Sequence, residues 1–236
     1  ISADFFDIKI EDQVSQLGAS TIVSACYNSD FFPSDPLCAL FERRDLDQGI
    51  DNIRDSYINV AEQRNRGWDL AATWINDTPV GVLTLETQHT FQIEDSVALF
   101  EETRQDFNGE VGEPKWTGRL AASLQYGPWA GSWVANIIGP SDNYASYGGD
   151  TASLRGRTVR VVLDTDTVVY HIASVSYQFE NGASLRLGVA NVFDKQPPRL
   201  TTLNLGEVST QGNSAFYSQY DWEGRTIFAN LRYDVF

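Results

Sequence analysis

The chain has 236 residues, no methionine and a formal net charge of −15, from 17 Lys and Arg against 32 Asp and Glu. This acidic balance argues against nucleic acid as a partner, because phosphates require a basic surface. No apolar run approaches the roughly 20 residues of a transmembrane helix, so helical membrane proteins are excluded. Because the chain does not begin with methionine, we expect it to be a piece of a longer product.

Alternation of apolar and polar residues with a period of two runs through most of the chain and predicts an all-β fold. No amphipathic helix longer than a few turns is predicted. The predicted strands, in chain order, are Ser2–Glu11, Ile50–Ile75, Val80–Ile93, Pro114–Tyr126, Trp129–Ile138, Tyr170–Glu180, Ala183–Phe193 and Gly224–Phe236.

Tight turns and long polar connections alternate between these strands. They are the turns Asn76–Pro79, Tyr126–Trp129 and Glu180–Gly182, and the connections Asp12–Gly49, Glu94–Glu113, Gly139–Val169 and Asp194–Glu223. In an antiparallel up-and-down meander, this alternation collects the tight turns at one end of the sheet and the long connections at the other. Outer-membrane barrels have this division, with short periplasmic turns and long extracellular loops. The pattern therefore favours a transmembrane β-barrel.

The two faces of the strands support the same interpretation. In the seventh strand one face carries Leu185, Leu187 and Val189, and the other carries Ser184, Arg186 and Gly188. We expect the first face to contact lipid and the second to line a lumen. Aromatic residues gather near the tight turns, where an interfacial girdle would lie: Trp74, Tyr126, Trp129, Tyr177 and Phe179. A soluble β-sandwich remains an alternative, because alternation alone does not distinguish lipid from a protein core.

The only cysteines, Cys26 and Cys38, flank a polar segment with the composition of a loop. An even pair that closes a short loop predicts a disulfide in an oxidising compartment. The alternative is a pair of free thiols in a cytosolic protein. A disulfide would place this loop outside the cytoplasm.

Motifs of catalysis and of cofactor binding are absent from the sequence. It contains no GxSxG turn, Walker loop, GxGxxG or HExxH motif, and His89 and His171 lie on separate strands without a motif around them. The acidic segments Asp45–Gly49 and Asp164–Thr167 lack the later glutamate of an EF-hand. We therefore expect no enzyme activity, no cofactor and no specific metal site.

Ligand recognition is expected from the long connections. Arginines there are candidates to clamp carboxylate or phosphate groups of a small-molecule cargo, and tyrosines are candidates to stack on its rings. The alternative for each is an ordinary polar residue of an exposed loop. The candidates are Arg43, Arg44, Arg155, Arg157, Tyr144, Tyr147, Tyr217 and Tyr220.

Four stretches, taken in order, resemble TonB-dependent outer-membrane receptors. They are "ISADFFDIKIED" at the start, "YINVAEQRNRGWDLAATW", "NGASLRLGVANVFDKQPP" and the C-terminal "YDWEGRTIFANLRYDVF". The first two are similar to the long strands of that family. The last two resemble the closing strands of that family. Its penultimate strand ends in Asn, a hydrophobic residue, Phe and Asp, and after a loop the last strand carries Tyr-Asp and Gly-Arg. The cysteine pair between the first two stretches also fits the family.

This resemblance implies a 22-stranded barrel with a plug domain in its lumen, which imports scarce nutrients with energy from TonB. Residues 1–236 would then be the C-terminal portion of one β-barrel domain, about eight strands, without the plug and the N-terminal strands. The implied partners are that N-terminal part, TonB through it, outer-membrane lipid and lipopolysaccharide, and a small-molecule cargo such as a siderophore, cobalamin or a saccharide. The implied location is the bacterial outer membrane, with extracellular long loops and a periplasmic C-terminus.

Two other classes of protein remain open at this stage. Eight strands can close into a small outer-membrane barrel that acts as an adhesin or structural anchor. A soluble sandwich would be a binding protein or an enzyme. The predicted second strand, Ile50–Ile75, is far longer than the roughly 9 to 11 residues that cross a bilayer, which favours the receptor, whose strands project outward.

Overall fold

A computed structural model describes residues 1–16, 18–29, 31–44, 49–55, 57–98, 104–201, 203–204, 207–208 and 219–233. The chain divides into two compact units. The first contains Ile1–Asp7, Asn65–Asp95 and Asp106–Phe236, and the second contains Ile8–Arg64 and Ser96–Gln105.

Eight long strands form an antiparallel sheet in which each strand pairs with its neighbours in sequence. They are β1 Ser2–Gln16, β2 Tyr57–Thr78, β3 Gly81–Ala98, β4 Trp116–Tyr126, β5 Trp129–Ile138, β6 Val168–Gln178, β7 Ala183–Ala190 and β8 Thr226–Tyr233. The sheet path runs from β1 to β8 without joining its two ends. The predicted meander is therefore confirmed, and the sheet is not closed into a barrel within the described residues.

Local sequence explains the tight turns of the meander. The turns after β4 and β6 each contain a glycine with positive φ, Gly127 at 54° and Gly182 at 83°. Residues with a Cβ rarely adopt that conformation, so these glycines fix where the chain reverses. The reversal after β2 is closed by Thr78, whose hydroxyl donates to the Gly81 carbonyl at 2.7 Å.

Several strand ends differ from the sequence prediction. The second strand begins at Tyr57, not at Ile50, because Asn52 adopts a positive φ of 47° and ends the short strand Ile50–Asp51. β7 ends at Ala190, not at Phe193, because Asn191 and Asp194 also have positive φ, 49° and 53°. Even with its later start β2 has 22 residues, and β3 has 18. Both remain longer than a bilayer-spanning strand requires.

The long connections carry short elements of their own. In their described parts they contain the helices α1 Ala19–Asn28 and α2 Tyr144–Tyr147 and the 3₁₀ helix Pro36–Leu40. None of the described helices is long and apolar enough to cross a membrane. The short strands in these connections are Glu42–Arg43, Ile50–Asp51, Gln105–Asp106, Ser141–Asp142, Thr151–Leu154, Arg157–Arg160, Asp164–Thr165, Leu203–Asn204 and Glu207–Val208.

Small apolar clusters hold the connections in place. In the first unit, Tyr170 and Ile138 near the ends of β6 and β5 pack with Val111 from the connection between β3 and β4 and with Leu200 and Tyr220 from the connection between β7 and β8. A separate cluster in the same unit is formed by Ala152, Val161 and Leu163. In the second unit the core consists of Ile22, Cys26, Leu37 and Phe41. The connections are thus folded segments that hold their side chains in fixed positions.

Candidate functional site

The register of the sheet assigns the paired residues of β3 to β8 to one of two faces. Val175 of β6 lies opposite Leu187 of β7, and Ser176 lies opposite Arg186. Directly opposed residues share a face of a sheet. We call the face that carries Leu187 the apolar face and the face that carries Arg186 the polar face. The division predicted from the sequence of β7 therefore extends across the neighbouring strands.

Aromatic rings on the apolar face cluster beside the tight turns. The Trp129 and Tyr177 ring centroids lie 4.7 Å apart, and those of Tyr177 and Phe179 lie 4.8 Å apart. Tyr126 is the strand partner of Trp129. These contacts agree with the predicted gathering for Tyr126, Trp129, Tyr177 and Phe179, whereas the place of Trp74 in it stays a prediction. The gathering produces a band of amphipathic side chains at the end of the sheet that carries the tight turns.

Both histidines also lie on the apolar face, each paired with a tryptophan. The Trp116 Nε1–H donates to His89 Nδ1 at 3.1 Å, and the Trp133 Nε1–H donates to His171 Nδ1 at 3.1 Å. A neutral imidazole that accepts at Nδ1 carries its proton on Nε2. Each histidine thus accepts the hydrogen bond of an indole N–H. The sequence does not indicate this role, because each histidine and its tryptophan lie on different strands.

Among the described residues, clefts of different charge lie on the polar face. The first, about 380 Å³ in volume, brings Asp4 and Asp69 near Arg119. The second, about 460 Å³, lies beside the tight turns and contains Arg186 and Arg232. The third, about 260 Å³, contains Asp95 and Glu113 among amide side chains. Mixed, basic and acidic clefts therefore follow one another along the same face.

Strand pairing explains the second cleft, which we call the arginine cleft. Arg186 lies opposite Asn230 on β8, and Arg232 lies opposite Ser184 on β7. The two arginines are therefore diagonal neighbours on one face, at a separation of about 7 to 8 Å. Both are exposed in this chain. The alternation in β7 predicts Arg186 on the polar face, but its pairing with Arg232 depends on the register between β7 and β8, which the sequence alone does not indicate.

Partial burial and the nearby Asp95 carboxylate raise the pKa of Glu113 in the third cleft. Burial disfavours the charged carboxylate, and Asp95 adds repulsion between like charges. Glu113 lies in the connection between β3 and β4, and its backbone bonds hold the Gly109–Glu113 turn. This carboxyl group therefore titrates at a higher pH than an ordinary glutamate.

Tyr144 and Tyr147 have structural contacts in the connection between β5 and β6. Both pack against the cluster of Ala152, Val161 and Leu163. The Tyr144 hydroxyl donates to Asp164 Oδ1 at 2.7 Å, and this hydrogen bond raises the pKa of the tyrosine. Their contribution to a ligand site stays a prediction, and Tyr144 would have to give up this packing to stack fully on a ligand ring.

Arg155 and Arg157 flank the turn of a hairpin formed by Thr151–Leu154 and Arg157–Arg160. Both side chains are exposed, and Arg155 has a φ of 52°. The hairpin belongs to the same connection as Tyr144 and Tyr147. The structure therefore places four of the candidate ligand residues in one folded connection, with the arginines at its accessible tip.

Tyr220 occupies a different environment from the one expected of a ligand-stacking residue. Only 3% of its surface is exposed, and it packs with Val111, Ile138 and Tyr170. Tyr217 lies outside the described residues, as do the acidic residues 45–48 and the last three residues of the chain. Their predicted roles stay predictions.

The second unit contains the predicted disulfide. Cys26 and Cys38 are bonded, which confirms the prediction, and the bond joins α1 to the 3₁₀ helix. The Arg43 guanidinium lies 5.2 Å from the centroid of the Tyr27 ring in a cation–π contact. Arg44 follows it, with its backbone N–H bonded to the Gly49 carbonyl. The disulfide and the aromatic contact thus fix the segment that carries both candidate arginines.

No group of three or more His, Cys, Asp or Glu side chains in the described part of the chain is arranged to hold a metal ion. The chemical groups that remain available for recognition are guanidinium groups, amides and tyrosine rings. These groups bind ligands through hydrogen bonds and stacking.

The sheet is an antiparallel meander, its two faces differ in chemistry, and its long connections all lie at one end. These features define a wall of an outer-membrane type β-barrel. The chain belongs to the TonB-dependent receptor β-barrel family: the model of the family described as TonB dependent receptor-like, beta-barrel, matches residues 1–192. Membership of this family implies an outer-membrane location. No curated protein matches the chain closely enough to count as a relative.

Two solved structures are similar to the chain at low sequence identity, and the first of them shares its fold. The ferric enterobactin receptor PfeA from Pseudomonas aeruginosa, solved as a mutant, is 15% identical, with a TM-score of 0.54. The siderophore receptor PirA from Acinetobacter baumannii is 14% identical, with a TM-score of 0.49. The matches cover 97% and 98% of this chain but only 28% and 29% of the two receptors. The chain thus corresponds to less than a third of either receptor.

Proposed function

We propose that the chain is the C-terminal part of a TonB-dependent transporter that actively imports a scarce nutrient across the outer membrane. The apolar face contacts lipid and lipopolysaccharide, and the polar face lines the lumen. The long connections lie outside the cell and the C-terminus lies in the periplasm. The N-terminal part of the same receptor supplies the plug domain and the remaining strands, and TonB acts through that part. The chain itself carries no enzymatic step.

The observation that carries this proposal is the eight-stranded meander with its tight turns at one end and its folded connections at the other. A soluble sandwich has no reason to segregate its connections so strictly, whereas an outer-membrane barrel does. The open sheet supports a larger barrel over a closed eight-stranded one, because β1 and β8 are the two ends of the strand path. At membrane depth, unpaired backbone groups on these strands would each cost several kcal/mol.

The cargo we propose is a small molecule such as a siderophore, cobalamin or a saccharide. A siderophore is the first choice, because the ferric enterobactin receptor has the same fold. The exposed guanidinium groups of Arg155 and Arg157 are suited to its anionic oxygens. Arg43 and Arg44, on the connection that carries the disulfide, offer the same chemistry.

Uptake by cells tests the proposed function. The full-length receptor is expressed in a Gram-negative strain that lacks its own siderophore receptors, and uptake of radiolabelled ferric siderophores is measured with and without TonB. We expect uptake of at least one siderophore that requires TonB, with R155E/R157E weakening it. Matched variants Arg199→Glu and Arg225→Glu, in the connection between β7 and β8, control for the change in charge.

Two results would contradict the proposal. One is uptake, or binding of a cargo, that is independent of the upstream part of the receptor. The other is a heat-modifiable, protease-resistant barrel formed by residues 1–236 alone, with β1 hydrogen-bonded to β8. That second result would favour a small adhesin or anchor barrel.

A further inference from the structure

Opposite charges line the first cleft of the polar face without meeting each other. Asp69 lies on β2 and Arg119 on β4, and Asp4 on β1 adds a second carboxylate. Within the described part of the chain, none of these three side chains takes part in an ion pair. Elsewhere in the same unit opposite charges do meet, as Arg66 and Glu94 do at 3.1 Å. We call the space between the unpaired charges the mixed cleft.

The sheet keeps these charges apart. β2 and β4 lie on either side of β3, so they are two strand spacings apart, about 10 Å. The Thr90 hydroxyl donates to Asp69 Oδ1 at 2.6 Å and thereby holds this carboxylate beside β3. Thr90 is the strand partner of Thr117, which precedes Arg119 on the same face. This offset along the strands raises the separation to about 12 Å, and the charged groups lie about as far apart, because side chains stand roughly perpendicular to a sheet.

Each end of the mixed cleft is suited to one kind of charged group. At one end Arg119 lies between Gln88 on β3 and Asn136 on β5, which are its strand partners. A guanidinium group flanked by amide N–H donors binds a carboxylate. At the other end Asp69 has a second carboxylate oxygen besides the one that Thr90 contacts, and such an oxygen accepts hydrogen bonds from an ammonium group. The cleft thus offers a site for an anion and a site for a cation.

The two sites together select a ligand that carries both charges. A ligand with only one charge would be repelled by the other end of the cleft, and such repulsion excludes wrong ligands. The volume of about 380 Å³ is that of a small-molecule pocket. A hydrogen bond of about 3 Å at each end fills about half of the 12 Å separation, so the ligand needs its charges about 6 Å apart. A dipeptide has this length, at about 3.5 Å per residue.

We propose that the mixed cleft binds a zwitterionic part of the cargo, in which a short peptide-like spacer joins an ammonium group to a carboxylate. Arg119 donates to the carboxylate, and Asp69 accepts from the ammonium group, with Asp4 adding negative charge at the same end. The inference rests on the proposed function, since it assigns a chemical class to the cargo. That class is a molecule derived from amino acids with both charged groups free, and neither a saccharide nor cobalamin.

Binding of small peptides to the full-length receptor tests the mixed cleft directly. The probes are glycylglycine, N-acetylglycylglycine, which lacks the ammonium group, and glycylglycine methyl ester, which lacks the carboxylate. Saturation-transfer NMR on the receptor in detergent measures their dissociation constants. We expect glycylglycine to bind at least about tenfold more tightly than either derivative, because each derivative loses a charge-assisted contact. Equal binding of the three probes, or no binding of glycylglycine, would overturn the proposal.

Single variants assign the two ends of the cleft. Arg119→Gln should weaken glycylglycine binding by about tenfold or more without weakening that of the methyl ester. Asp69→Asn keeps an acceptor for Thr90 and should weaken glycylglycine by a similar factor without weakening the N-acetyl derivative. The control Arg199→Gln removes an arginine from the connection between β7 and β8 and should change none of the constants. A loss with Arg199→Gln equal to that with Arg119→Gln would overturn the assignment.

Two further measurements keep these results interpretable. Heat-modifiable migration shows whether each variant still forms the barrel. Arg119→Lys keeps the positive charge but not the fork of the guanidinium group, and should bind glycylglycine more tightly than Arg119→Gln does. If Arg119→Lys and Arg119→Gln fold and lose affinity equally, the charge of Arg119 does not hold the carboxylate and the proposal fails.

The peptide probes also separate failure of this inference from failure of the proposed function. If the receptor imports a siderophore with TonB but does not bind glycylglycine, the zwitterion site is wrong and the transport proposal stands. If glycylglycine binds with the expected dependence on Arg119 and Asp69 but no siderophore is taken up with TonB, the zwitterion site stands and the transport proposal fails.

Discussion

The two faces of the eight-stranded sheet share one backbone but differ in how their side chains are used. On the apolar face Leu120, Val175 and Leu187 leave 44%, 44% and 47% of their surface exposed. On the polar face polar side chains meet one another, as Ser132 and Ser174 do through hydroxyls 2.8 Å apart, or line clefts, as Arg186 and Arg232 do. The difference teaches that one backbone presents two surfaces of different chemistry: the apolar face offers exposed apolar bulk, and the polar face offers hydrogen-bonding groups.

A charge placed on the apolar face should produce the largest difference in stability between variants of the two faces. Leu187→Arg is expected to destabilise the receptor by about 2 to 4 kcal/mol if the residue lies near the middle of the bilayer, because the guanidinium must leave water for lipid. Ser123→Arg places the same group on the polar face, where the strand partners are Thr84 and Ser132, and should cost less than about 1 kcal/mol. Unfolding in lipid vesicles by denaturant measures both. Equal costs would mean that the two faces do not differ in environment.

Two glycines, Gly188 on the polar face and Gly131 on the apolar face, should differ in how well they tolerate a larger side chain. A Cβ on Gly188 would meet the Phe228 ring and, at 2.8 Å, the Ala173 carbonyl oxygen. Gly188→Val is therefore expected to cost about 1 to 3 kcal/mol through overpacking. Gly131 lies on the apolar face, and a Cβ there meets nothing within 4 Å. Gly131→Val should thus be neutral or slightly stabilising in the same unfolding experiment; a loss equal to that of Gly188→Val would refute the difference in packing.

The alternation within single strands was enough to predict the two faces and most of the meander. It placed β5 correctly at both ends, because the Gly127-Pro128 turn and the aromatic Trp129 mark its start. It extended β2 too far, because Ile50, Ile53 and Tyr57 look like strand residues although Asn52 turns the chain away. The period of two and the composition of the turns are local signals. They do not predict the end of a strand where the backbone conformation of one residue, such as Asn52, determines it.

Contacts between strands distant in sequence could not be predicted in this way. The pair of Arg186 and Arg232 depends on the register across a long connection, and the partnership of His89 with Trp116 depends on the register between β3 and β4. Tyr220 was expected to face a ligand but is buried, because the packing of two connections on the sheet determines its environment. Chemical type is visible in a sequence, whereas accessibility is a property of the folded chain.

The histidine pairs offer a more specific test of the apolar face. His89→Leu keeps the apolar character but removes the acceptor of the Trp116 Nε1–H, and an unsatisfied indole N–H should cost about 1 to 3 kcal/mol. The double variant H89L/W116F removes both partners and should recover most of that loss. Denaturant unfolding and the tryptophan emission spectrum measure the effect. If the double variant is no more stable than His89→Leu, the hydrogen bond does not contribute.

The smallest expected effect concerns Glu113, at the outer end of the polar face. Partial burial and Asp95 raise the pKa of its carboxyl group above the ordinary value of about 4.3 for glutamate. The folded chain thus favours the protonated form of Glu113. The contribution of this protonated group to stability is fully present below the ordinary pKa and is lost as the pH rises through the raised pKa of the folded chain. Glu113→Gln cannot ionise and should equal the natural chain at pH near 4 but unfold at a slightly higher temperature near pH 7.

The effect at Glu113 is small because much of this side chain remains in contact with solvent. Glu110→Gln removes the same charge from the same turn and is the matched control, since Glu110 and Glu113 are joined by the backbone bond from Glu113 N–H to the Glu110 carbonyl. Thermal unfolding of the full-length receptor is followed at both pH values. Glu110→Gln should raise the unfolding temperature near pH 7 by less than Glu113→Gln does. An equal rise would mean that net charge, and not the proximity of Asp95 to Glu113, governs the pH dependence of stability in this part of the polar face.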